Sequence, residues 1–157
     1  FSNYLHRVDE GAVNITFIST YSLKANNGIT AAIEHSLFIA EASGTQAYSY
    51  DNLDIKNEYY ITLPSLFKND TYIDRISQEI KRQIAEQMAT VPGAVYYTDE
   101  SAFSEIAPMQ EFYISNTHHL VIVFGEYTIA PGFMGTPEFL IPTNVISDIL
   151  ANHLYID

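Results

Sequence analysis

Two glutamates, Glu126 and Glu138, flank a run rich in proline and glycine, and together they are the chain's best candidates for chemistry. A pair of carboxylates held about 5 to 10 Å apart can cleave a glycosidic bond, one as acid and one as nucleophile or base. A loop could bring these two together. Nothing else in the sequence shapes a sugar cleft, and there is no Trp for a sugar ring to stack on. The histidines offer less. His118 and His119 are adjacent, so on a strand they point to opposite faces and cannot share one ion. His6, His35 and His153 are isolated. No H-E-x-x-H, acidic calcium loop, G-x-S-x-G elbow or phosphate-cradling glycine loop occurs, and the chain has no cysteine. The residues therefore predict no catalytic group, no metal site and no cofactor, and leave Glu126 and Glu138 as a solvated pair at strand ends.

The same run, EYTIAPGFMGTPEFLIP at 126–142, reads better as a surface. It holds two glycines and three prolines in seventeen residues and follows the apolar segment HLVIVF. Proline and glycine interrupt a strand and turn it, and such corners lie at the surface. Tyr127, Pro131, Phe133 and Met134 are then the forward residues, with Glu126 and Glu138 at their flanks. The small-residue stretch around Ser43 and Gly44 is a second candidate contact.

Charge narrows the choice of partner. The net charge is −12, and no Lys or Arg occurs from Thr90 to Asp157. Nucleic acid and anionic membrane surfaces both call for clustered cations, so neither suits this chain. A basic protein does, because a field of one sign speeds its approach; the alternative is that the charge serves solubility alone. Twelve tyrosines suit a wet protein–protein surface.

The elements that must carry these residues are partly legible. Length and an apolar fraction of 47% fit a single domain over 1–157, with a hairpin region at about 1–67 and a helical and C-terminal region at about 68–157. Asn26, Asn27 and Gly28 predict the turn of a long hairpin. A strand follows with Tyr48, Tyr50 and Asn52 on one face, then a turn at 57–58. Ile73, Ile76, Ile80, Ile84 and Met88 fall on one helical stripe, with Thr71 and Asp74 as a capping box. A short helix is expected at 98–107, with Phe103 and Ile106 inward. Strands at QEFYIS, HLVIVF and PEFLIP and a final helix over 143–154 complete the reading. Grouped rather than alternating elements predict an α+β fold: an antiparallel sheet of several strands, with one long central helix and a C-terminal helix packed on it. No segment reaches the ~20 apolar residues of a membrane span, so any leader or anchor is expected outside this sequence.

One resemblance is specific. Phe112–Tyr113, Phe124, Tyr127–Thr128–Ile129–Ala130–Pro131, Gly135, Glu138–Phe139 and Ile141–Pro142 follow the C-terminal signature of the extracytoplasmic domain of RsiV-type anti-sigma factors. YSYDNLDIKNEYYITLPSLFKND resembles that family's lead into the long helix. The resemblance covers roughly 30–150 and is loose in its first part, where the histidine often found near the EASGTQAY loop is missing. Related domains occur in cell-surface polysaccharide deacetylases. The resemblance implies an extracytoplasmic, membrane-anchored sensing domain that binds lysozyme, a basic protein. Its alternative is a cell-wall glycan-binding or accessory module, and a glycan hydrolase using Glu126 and Glu138 comes third.

Overall fold

The computed structural model describes residues 16–40 and 44–157. The predicted contact at Ser43 lies outside the described residues, as does the first half of the EASGTQ loop, 41–43.

The strands divide between two antiparallel sheets. The first is a meander of β1 (Thr16–Asn26), β2 (Thr30–Ala40), β3 (Gly44–Asp54) and β4 (Tyr59–Ile61). The second orders β5 (Phe112–Ile114), β6 (Leu120–Val123) and β7 (Glu138–Ile141) side by side. In sequence, the helix α1 (Thr71–Thr90) comes between the two sheets, and α2 (Thr143–Ile146) follows β7.

The Asn-Asn-Gly turn forms where the sequence places it. Gly28 sits at φ 86°, and the Asn27 side chain accepts from the backbone N–H of Ile29 and Thr30. Positive φ costs glycine nothing, and an Asn side chain that mimics a backbone turn fixes the rest. Past the turn, β1 carries a bulge. Leu23 pairs with Ile33 and Ala25 with Ala32, so Lys24 is the extra residue.

The core lies between α1 and the second sheet. Ile76 and Ile80 of α1 are fully buried among Leu120, Ile122, Phe139 and Ile141. The helical stripe ends earlier than its spacing implies, because Met88 is 43% exposed on the last turn, beyond the reach of the sheet. The capping box does not form. Asn69, two residues ahead of Thr71, accepts from the Thr71 N–H and hydroxyl and so takes the role of its partner.

Two expected helices differ for one physical reason. Residues 98–107 are not helical: the Ser77 hydroxyl accepts from the Ile106 N–H, and the Tyr72 hydroxyl donates to the Pro108 carbonyl. Tertiary partners satisfy the backbone there, while Ile106 still reaches the core and Phe103 packs on it. The C-terminal helix likewise stops after one turn and a 3-10 turn over Ser147–Ile149. Beyond it the chain bonds to the segment before α1 instead, with Lys68 N donating to Ile149 O and Ala151 N donating to Leu66 O.

Asn52 joins the sheets. Its side chain donates to Phe112 O at 2.8 Å and accepts from Ile114 N at 3.2 Å. Strands β1, β2 and β3 have eleven residues each, whereas β4 covers only Asn52–Asp54 of β3. The far ends of the three long strands therefore extend past the core. Among the described residues, no helix is long and apolar enough to cross a membrane.

Candidate functional site

The corner at 125–137 is built from both ends inward. Thr128 N donates to Gly125 O and opens a turn, and Phe124 N donates to Pro137 O and closes the base. Gly132–Met134 is a 3-10 turn, with Met134 N bonded to Pro131 O and Gly135 N to Gly132 O. Gly135 takes φ 66°, which lets the chain reverse into β7. Ile129 and Ala130 point inward and are buried, and Ile129 O accepts from Tyr97 N. The corner is thus pinned at its middle and at its base.

What it shows outward is aromatic. Phe133 is 73% exposed and Tyr127 64%. Tyr127 is also held at φ 61°, the left-handed region that costs a non-glycine residue roughly 1–2 kcal/mol. Its ring lies over Gly132: a Cβ placed there would stand 2.2 Å from Tyr127 Cζ. The glycine is what lets the ring lie down on the loop. Pro131 is half-buried, and Met134 packs against the core. Of the predicted forward residues, Tyr127 and Phe133 are therefore the exposed ones, Pro131 sets the turn, and Met134 anchors it.

Glu138 is engaged elsewhere. Lys24 Nζ lies 2.8 Å from Glu138 Oε1 and 3.3 Å from Glu34 Oε2. The Tyr113 hydroxyl donates to Glu138 at 2.6 Å and the Tyr50 hydroxyl to Glu34 at 3.0 Å. The rings of Tyr50 and Tyr113 meet with centroids 5.6 Å apart, and Lys24 Nζ stands over both. Burial pulls the Lys24 ammonium down, but Glu138 and Glu34 outweigh it and hold its pKa above the ordinary value. Burial first, and then the neighbouring carboxylates, push both phenols well up. This group fastens β1, β2 and β3 to β5 and β7. Among the described residues no bond joins Glu138 to Glu126, so the structure does not unite the two glutamates in one site.

No sequence pattern marks Lys24, Glu34, Tyr50 and Tyr113 as a cluster, since they come from four strands and meet through a bulge. Gly44 opens β3 opposite Ala40, where the Phe38 ring fills the space a side chain would need. His35 and Asp51 pair at 2.8 Å across β2 and β3, and His35 stands opposite Tyr21, which is 80% exposed. Among the described residues no three His, Asp or Glu converge as metal ligands would.

Comparison with known proteins meets the corner directly. The family described as "Protein of unknown function (DUF3298)" matches residues 64–144, from the lead into α1 through the corner to the start of α2. The anti-sigma-V factor RsiV of Bacillus subtilis is 42% identical over 146 residues; they span 91% of this chain and 51% of that protein, so the chain corresponds to about half of this relative's length. Two solved structures share the fold. A DUF3298 family protein from Pseudomonas aeruginosa superposes with a TM-score of 0.75 at 12% identity, covering 98% of this chain and 71% of its own. A Bacteroides fragilis member does so with a TM-score of 0.69 at 15% identity, covering 96% and 62%. A match across the helix, the second sheet and the corner, together with close identity over most of the sequence, places this chain in the DUF3298 family, as an RsiV-type domain.

Proposed function

We propose that this is a non-catalytic sensing domain that works outside the cytoplasm and docks a basic protein of the lysozyme kind on the 125–137 corner. One observation carries the reading. A strained, doubly anchored loop presents two large exposed aromatics, Tyr127 and Phe133, in the part of the chain that has no Lys or Arg. Rigid aromatic anchors are what binding hot spots are made of, because they bring contact area at little entropic cost. Acidic surroundings supply the approach and aromatic burial supplies the residence. The relative RsiV is an anti-sigma factor, and in a protein of that kind the domain would report occupancy to a partner segment elsewhere.

Calorimetric titration with hen lysozyme at moderate salt tests this. Binding that weakens at least about tenfold in Phe133→Ala supports the corner, since a buried aromatic anchor is worth ~2 kcal/mol or more. Absence of heat and of co-elution rejects it, and binding that salt erases completely reduces it to charge attraction.

A second reading, cell-wall glycan binding, is favoured by Tyr21 lying exposed opposite the His35–Asp51 pair. Retention on purified peptidoglycan that Tyr21→Ala abolishes would favour it over the first.

A further inference from the structure

Among the described residues, strand β3 has an open outer edge. Ile55 N bonds to Ile29 O on the β2 side, while Tyr50 N bonds to the Glu111 carboxylate on the other. The pairing of β3 with β2 runs without a bulge from Gly44 to Asp54, so the even-numbered residues turn their N–H and C=O outward all along it. Asn52 and Asp54 face β4, and Tyr50 is taken by Glu111. Among the described residues nothing pairs with the outward groups of Gln46 and Tyr48. Two successive outward residues form a template on which another strand can grow.

A second, separate feature marks the inner end of that edge. Where β4 stops, a cavity of about 250 Å3 opens between β3 and the segment before β5, lined by Asp51, Tyr60, Met109, Gln110 and Glu111 among others. Its carboxylates are Asp51, whose Oδ2 also meets His35 at 2.8 Å, and Glu111, and no Lys or Arg is among the described residues that line it. Burial, and then the Asp51 charge, hold Glu111 above its ordinary pKa despite the bond from Tyr50, as befits a carboxylate short of positive neighbours. Tyr60 and Met109 are each 65% exposed at the rim and offer apolar contact to a passing side-chain stem.

We propose that the outer edge of β3 is a strand-addition site for an extended cationic segment of a partner protein, with a lysine or arginine of that segment set in the Asp51–Glu111 cavity. Backbone pairing with Gln46 and Tyr48 supplies affinity, and the carboxylates choose the charge. A second copy of this chain is the disfavoured occupant, since each copy carries a net charge of −12 and edge-to-edge pairing would bring like fields together. The inference uses a different surface from the corner, so the two stand or fall separately.

The test is amide exchange by NMR on the whole domain. The probes are a seven-residue acetylated peptide of alternating lysine and valine, the same peptide with glutamate for lysine, and the cationic peptide N-methylated at alternate residues. The lysine peptide is expected to slow exchange at Gln46 and Tyr48, and the other two are not. Gln46→Pro removes an outward N–H without touching the β2 ladder, so the domain stays folded; its peptide affinity should fall at least tenfold. Glu111→Gln should weaken the lysine peptide about two- to fivefold, the size of a partly exposed charge pair. Equal binding of the N-methylated peptide, undiminished binding by Gln46→Pro, or no protection at Gln46 and Tyr48 overturns the proposal. So does protection of these amides in the free protein together with a dimer in sedimentation. Phe133→Ala should leave peptide binding unchanged, so loss of lysozyme binding and loss of peptide binding can be told apart.

Discussion

Asn52 grips β5 through the backbone of Phe112: its amide donates to that carbonyl at 2.8 Å while its oxygen accepts from the N–H two residues on, at Ile114. A side chain here does what a strand would otherwise do, and it does so with only 2% of Asn52 exposed. Removing it leaves one backbone donor and one acceptor buried without partners. Asn52→Ala should therefore cost about 2–4 kcal/mol, seen as a lower urea midpoint. Asn52→Asp should cost at least as much, because it sets a carboxylate oxygen against the Phe112 carbonyl. A change below about 0.5 kcal/mol, the range of ordinary surface substitutions, would show that the two sheets hold together without this contact.

Gly132→Ala is expected to separate the shape of the corner from its stability. The new methyl collides with the Tyr127 ring and not with backbone, so the ring swings away and the loop stays. The Tyr127 aromatic resonances should shift, while the melting temperature changes by only about a degree or two, as for a surface substitution worth under ~0.5 kcal/mol. If lysozyme binding depends on that ring lying flat, affinity falls with no loss of fold.

Acid sensitivity should trace to Asp54. The Tyr155 hydroxyl donates to it at 2.7 Å, and Asn57 donates to it through both its side chain and its backbone. These bonds, Tyr155 first, hold the carboxyl down to about 2 from an ordinary 3.8. A depressed folded-state pKa contributes stability that is fully present above the unfolded value and is lost as pH falls through the folded one. The loss from this group should run between pH 3.8 and about 2. Asp54→Asn should start less stable at neutral pH and lose less across that window in denaturation followed against pH. An unchanged acid limb would clear Asp54 of this role.

Lys24→Met keeps the aliphatic stem over Tyr50 and Tyr113 but removes the charge that faces Glu34 and Glu138. Because these side chains are partly exposed, the loss should be about 1 kcal/mol, larger at low salt than at high. Combining it with Glu138→Gln should cost less than the sum of the two single changes. Strict additivity would mean the ion pair contributes nothing.

Much of this was legible in the sequence because it is local. The Asn-Asn-Gly turn, the α1 stripe through Ile76 and Ile80, and the short strands around Tyr113, Ile122 and Phe139 each follow from residues within a few positions of one another. The corner was also legible, since Pro131, Gly132, Gly135 and Pro137 mark it. Residues 98–107 misled because partners from α1, Ser77 and Tyr72, satisfy the backbone that a helix would have satisfied itself. The Lys24 cluster was invisible for the same reason: it joins residues 24, 34, 50, 113 and 138, whose only common property is where the strands carry them.

The bulge at Lys24 acts on β1 as a shift of reading frame. Ahead of it the odd-numbered residues share a face with Ile33; behind it they share a face with Ala32, on the opposite side. Were the bulge smoothed out so that Lys24 paired with Ile33, Tyr21 and Leu23 would turn over to the side where Glu34 and Tyr50 now stand, and Thr20 and Ser22 would go the other way. The strand thus spells two alternations in series, and one lysine is the punctuation between them.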